Sequence, residues 1–177
     1  MENTESAENN IAFIDGQNLH FGARENGWFI DHKKLRVYLL DKYKIKEAYY
    51  FLGFQSVNEQ ELYDNLTSAG YILMFKEHAP TQGSRKRGNV DSDIIFNLMK
   101  KLVDNEPFDR AFIVSGDGDY KKLVDYLITK GKFGKMLFPN QRFASFLYMD
   151  LGSEFFDYLE NIRSYIEYKK IINEKGS

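Results

Sequence analysis

Four aspartates stand where they could act on one ligand. Asp15 ends the short apolar run Ile11-Ala12-Phe13-Ile14. Asp117 and Asp119 follow the apolar run 111–114 within Ser115-Gly116-Asp117-Gly118-Asp119. Asp91 opens a segment in which Val90, Ile94, Ile95, Leu98, Met99, Leu102 and Val103 recur at helical spacing. Positions 91, 95, 98 and 102 share one face of that helix, so Asp91 is expected to point toward the core. Carboxylates gathered at one place repel, each close pair by roughly 3–4 kcal/mol at an effective dielectric of about 20. Raised pKa values or a bound cation would relieve that repulsion. With three His and no Cys in the chain, a hard ion with oxygen ligands, Mg²⁺ or Mn²⁺, fits better than zinc. An ion held this way activates water and stabilises the charge of a phosphodiester displacement. Each acid also has a plainer reading. Asp beside Gly is common turn chemistry, and Asp at a helix start is a cap. Asp93 points about 200° away from Asp91 on a helix and reads as a cap or solvated charge.

Whether the acids meet depends on the elements that carry them. Strands are expected at 11–14, 48–54, 71–75, 111–114 and 133–138, and helices at 32–43, 57–69, 90–103 and 120–130, the last stopped by Gly131. Strands alternating with helices predict a three-layer α/β/α fold around a central, mainly parallel sheet of about five strands. In such sheets ligands sit beyond the carboxyl ends of the strands, which is where the acids fall. Residues 1–10 read as a disordered tail, 11–160 as one domain, and 161–177 as a C-terminal helix and tail. Residues 141–173 look mostly helical, with Phe143, Phe146, Tyr148, Phe155 and Phe156 packing the final helices.

The 177 residues carry 24 Lys+Arg against 26 Asp+Glu, a formal charge of −2. A uniformly basic nucleic-acid coat is excluded, so contact with a polyanion needs a local patch. Arg85-Lys86-Arg87 lies in a Gly/Ser loop just before Asp91 and can position phosphates without reading sequence. Lys33-Lys34 and Lys121-Lys122 are weaker candidates of the same kind. The absence of Cys removes disulfides, zinc fingers and a thiol nucleophile. The polar, acidic start lacks a signal-peptide pattern, and no apolar run reaches membrane-spanning length, so a cytoplasmic protein is expected. His20, His32 and His78 lack ligand spacing and read as structural or surface residues. Trp28 and Phe29 read as packing residues rather than a base-stacking platform.

Three motifs in order resemble the NYN domain family of PIN-like nucleases, including the bacterial LabA-like proteins. They are Phe13-Ile14-Asp15-Gly16-Gln17-Asn18-Leu19, then Lys86-Arg87-Gly88-Asn89-Val90-Asp91, then Val114-Ser115-Gly116-Asp117-Gly118-Asp119-Tyr120. The third departs from the family's Ser-Gly-Asp-Ser-Asp-Phe at Gly118 and ends in Tyr120. The resemblance covers roughly 10–160 and implies a PIN-like, Rossmann-like fold with a metal-dependent ribonuclease site. By that likeness Asp15, Asp91, Asp117 and Asp119 are catalytic and hold Mg²⁺ or Mn²⁺, with Asn18 and Ser115 in support. Arg85, Lys86 and Arg87 would bind nucleic acid. The implied substrate is RNA, single-stranded, cut to leave a 5′-phosphate and a 3′-hydroxyl.

A second reading is a regulatory module of the LabA-like type that binds RNA or a protein without catalysis. An exposed part of the late aromatic set would serve a dimer or protein-partner contact. A phosphohydrolase of the haloacid dehalogenase type needs Asp-x-Asp after its first strand, with the first Asp as nucleophile. Here Gln17 stands in place of the second acid.

Overall fold

The computed structural model describes residues 8–76 and 90–169. Six strands form a single parallel sheet: β1 (Asn10–Asp15), β2 (Ile45–Leu52), β3 (Ile72–Phe75), β4 (Ala111–Val114), β5 (Phe133–Phe138) and β6 (Phe156–Tyr158). Their order is β3-β2-β1-β4-β5-β6. Five helices of two turns or more flank it: α1 (Gly16–Glu25), α2 (His32–Tyr43), α3 (Gln60–Ala69), α4 (Asp91–Val103) and α5 (Lys121–Thr129).

The central strand shows why the sheet needs cover on both faces. Every residue of β1 is buried. Ile11 and Phe13 pack into a core with Ile94 and Leu98 of α4 and Val124 and Leu127 of α5. Ala12 and Ile14 pack the opposite way, with Leu19 of α1, Leu35 and Leu39 of α2 and Leu66 of α3. A strand buried on both faces reads as a continuous apolar run rather than an alternating one. Parallel neighbours also require crossovers, which the helices supply.

From β1 the chain builds outward through β2 to β3, then returns to lay β4 on β1's other side. The carboxyl ends of β1 and β4 therefore flank the point where the winding reverses, the place where open α/β sheets form a crevice. Asp15 ends one strand and Ser115 follows the other.

The structure departs from the sequence reading in four places. The sheet has a sixth strand, β6, paired with β5 along Met136–Phe138. Residues 16–25 form α1, a helix not anticipated from their weak apolar pattern. Residues 141–166 are a series of short 3₁₀ turns, β6 and one helical turn at Arg163–Ile166, not a run of helix. Side chains start the first two turns locally: Asn140 caps the turn 141–143, its Oδ1 accepting from Phe143 N–H at 2.9 Å, and Ser145 caps the turn 146–148, its Oγ accepting from Leu147 N–H at 3.3 Å, so this stretch is broken into separately capped turns. Tyr148, Phe155 and Phe156 pack on β5 instead of on late helices, with Tyr148 and Phe156 centroids 5.3 and 5.8 Å from that of Phe138, while Phe146 is 75% exposed. The helix expected from residue 57 begins only at Gln60; Val57 starts a 3₁₀ turn ahead of it and is 90% exposed. The stop at Gly131 is present, with φ of 64° just past α5.

Gly16 lets α1 begin directly against β2. A β-carbon there would lie 2.8 Å from the Phe51 carbonyl oxygen and overlap the Tyr50 ring. Gly16→Ala is therefore expected to cost about 1–3 kcal/mol through overpacking, measured as a lower urea midpoint with an unchanged slope.

Candidate metal centre

Asp15 caps α1. Its Oδ1 accepts the Asn18 N–H at 3.0 Å, which satisfies one of the free donors of the first turn. Its Oδ2 lies 3.2 Å from the Tyr120 hydroxyl, which donates to Asp91 Oδ1 at 2.7 Å. The capping and cluster readings of Asp15 are thus both realised by one side chain. Asp91 lies in the first turn of α4 and is 6% exposed, as its helical phase predicts.

The loop after β4 is shaped by its own side chains. Ser115 Oγ accepts the Asp117 N–H at 3.1 Å, and Asp117 Oδ1 accepts the Asp119 N–H at 3.0 Å. The Tyr148 hydroxyl donates to the Asp117 carbonyl at 2.6 Å. Asn18 ties this loop to α1, its Oδ1 accepting the Gly116 N–H at 2.7 Å. At Gly118 a β-carbon would come 2.6 Å from Ser145 Oγ and 2.7 Å from Leu147 Cδ1. Close approach of the 145–148 turn accounts for glycine at that position.

Asp91, Asp117 and Asp119 each offer a carboxylate oxygen, and these three atoms lie within 4.8 Å of one another. Burial grades outward, from buried Asp91 through half-buried Asp117 to exposed Asp119. An all-oxygen set of this kind fits a hard divalent ion such as Mg²⁺ or Mn²⁺. Asp15 stands beside this triad, with both its oxygens engaged in the contacts above. Asp15, Asp91 and Asp117 border a cleft of about 290 Å³ whose walls include Asn18, Phe21 and Phe143.

Burial pushes the Asp15 carboxyl up to about 6, against the lowering effect of the Asn18 N–H; the charges of Asp91 and Asp117 raise it further. Burial also raises the phenols of Tyr120 and Tyr148, as do the acids around them. Both hydroxyls therefore remain protonated donors at neutral pH.

Of the residues singled out from sequence, Asp15, Asn18, Asp91, Ser115, Asp117 and Asp119 come together at the switch point. Asp93 is not part of the triad. Arg85, Lys86, Arg87 and His78 lie outside the described residues. Lys121 is paired with Asp125 at 2.5 Å and Lys34 with Asp31 at 3.6 Å. The sequence reading gave no role here to Tyr120, Tyr148, Phe21 or Phe143. For Tyr120 the signal was present, since a tyrosine closing the third motif carries a hydroxyl that phenylalanine lacks.

The fold and site together define a doubly wound parallel α/β domain with aspartates at its switch point. The family model described as NYN domain matches residues 10–150, and the chain belongs to the NYN domain family. It is 31% identical over 170 residues to the low amplitude and bright protein LabA of Synechococcus elongatus, covering 88% of this chain and 86% of LabA. A crystal structure of a protein of unknown function from Vibrio parahaemolyticus has the same fold, with a TM-score of 0.75 at 20% identity, covering 94% of this chain and all of that one. Among the described residues, no helix is long and apolar enough to cross a membrane.

The raised Asp15 carboxyl has a sign that can be tested. Between about pH 4 and pH 6 the folded chain holds more protons at Asp15 than the unfolded chain, so this residue lowers stability as pH rises through that window. In EDTA at pH 7.5, Asp15→Asn is expected to be more stable than wild type by about 2–3 kcal/mol. The advantage should vanish near pH 4, as read from urea unfolding across the range.

Proposed function

We propose that this NYN domain is a metal-dependent endoribonuclease that hydrolyses single-stranded RNA in the cytoplasm. The observation that supports it most is the set of three carboxylate oxygens within 4.8 Å, beside an open cleft at the sheet's switch point. Asp91, Asp117 and Asp119 would hold Mg²⁺ or Mn²⁺. When bound, the ion would activate water toward the scissile phosphate and offset the charge that develops on its oxygens.

The chain's own groups do the positioning. The Tyr120 hydroxyl fixes the Asp91 carboxylate, and the Asp119 N–H fixes that of Asp117. Ser115 and Asn18 act one step back, by holding the backbone that presents Asp117. Asp15 closes the inner side of the cluster and adds negative charge that strengthens cation binding. Arg85, Lys86 and Arg87, a few residues before Asp91 in the sequence, would meet flanking phosphates. Phe21 and Phe143 line the cleft and offer apolar surface to an unstacked base, which favours a single strand over a duplex.

On labelled single-stranded RNA with Mn²⁺, wild type is expected to cleave and to stop on adding EDTA. Asp117→Asn is expected to fall by at least about 100-fold in turnover with its unfolding midpoint retained. Undiminished cleavage by that variant at verified purity refutes the assignment. RNA binding without cleavage by either protein would instead identify the regulatory module.

A further inference from the structure

The turn that leans on the acidic loop presents apolar side chains to solvent. Phe146 is 75% exposed, Met149 83% and Leu147 45%, while Tyr148 between them is buried. Apolar side chains gathered on one surface, unlike those scattered singly, mark a contact site.

This turn is pinned to the loop that carries two of the acids. Ser145 N–H donates to the Gly116 carbonyl at 2.9 Å, and the Tyr148 hydroxyl to the Asp117 carbonyl at 2.6 Å. Two glycines let the segments touch. A β-carbon at Gly116 would lie 2.1 Å from the Phe143 carbonyl oxygen, and one at Gly118 would lie 2.7 Å from Leu147 Cδ1. The exposed side chains are therefore held in a fixed place beside the carboxylate triad. They also continue the cleft, because Phe143 forms part of its wall.

Two cations lie close by along the chain. Arg142, next to Phe143, is exposed, and so is Lys122, one turn beyond Gly118. Neither forms an ion pair within the described residues. Exposed apolar rings with unpaired cations suit a flexible polyanion that carries flat bases. A protein contact fits less well, since three side chains fall short of the roughly 800 Å² per partner that a standard interface buries.

We propose that residues 142–149 bind the single strand where it leaves the cleft, with a base stacked on Phe146 and a phosphate on Arg142. The assignment rests on the nuclease reading for its class of substrate and adds the residues that hold the strand outside the cleft.

Binding separates the two. The full chain carrying Asp117→Asn, which keeps the strand intact, would be titrated with Mn²⁺ present against a short RNA of A and C and against its abasic counterpart. The RNA is expected to bind. Phe146→Ala should weaken it about tenfold and Phe146→Trp retain it, with the abasic strand insensitive to both changes. Arg142→Gln should weaken both strands alike and lower the salt dependence by about one phosphate. Both residues are exposed, so unfolding midpoints should not move. Unchanged RNA binding by Phe146→Ala, equal losses on the two strands, or no binding of the RNA overturns the proposal. So does cleavage by the otherwise wild-type chain with a KM that Phe146→Ala leaves alone, an outcome in which the nuclease reading survives. Binding with the expected losses but no cleavage by wild type keeps the platform and removes the nuclease.

Discussion

A single phenolic hydrogen stands between two buried carboxylates at the centre of this fold. Tyr120 approaches Asp91 at 2.7 Å and Asp15 at 3.2 Å, and it is fully buried. Like charges this deep in a protein are costly unless something offsets them. Here the offset has three sources: the hydroxyl, the Asn18 N–H at the start of α1, and the upward displacement of the Asp15 carboxyl itself. The neighbouring elements answer to that requirement. α1 must begin at Asp15, the loop after β4 must turn Tyr120 inward, and α4 must present its first turn to both.

Asn18 shows how tightly the parts are bound together. Its backbone caps the helix on Asp15 and its side chain accepts from Gly116 on the other strand of the switch point. The turn at 143–148 then closes on the same loop, with Ser145 N–H donating to the Gly116 carbonyl and Tyr148 to that of Asp117. Short polar contacts between segments far apart in sequence thus set the spacing of the acids.

Much of this was legible in the sequence, for physical reasons. Fully buried parallel strands announce themselves as apolar runs, and Asp15, Asp117 and Asp119 sit directly after two of them. The phase of Asp91 on α4 followed from helical periodicity. What escaped the reading depended on tertiary contact. α1 is held by its cap and by packing at Leu19 and Ala23, while the rest of its pattern is weak. The late aromatics were spaced closely enough to suggest helix, but Tyr148, Phe155 and Phe156 pack on β5. The cleft walls Phe21 and Phe143 come from opposite ends of the domain, a meeting that spacing alone does not reveal.

The strand order has a consequence for how the acidic centre comes into being during synthesis. β1 emerges first and pairs with β2 soon after, but its other edge stays open until β4, about a hundred residues later. Pairings of such long range form late, because loop-closure entropy must be overcome before they are rewarded. The acids come from residues 15, 91, 117 and 119, on both sides of that gap. A nascent or truncated chain that ends before β4 therefore has Asp15 and Asp91 but no cluster, and an unpaired central strand exposed to aggregation. The pairing of β4 with β1 is also the one that assembles the charged centre, so the site is absent from the chain until about two thirds of it has been made.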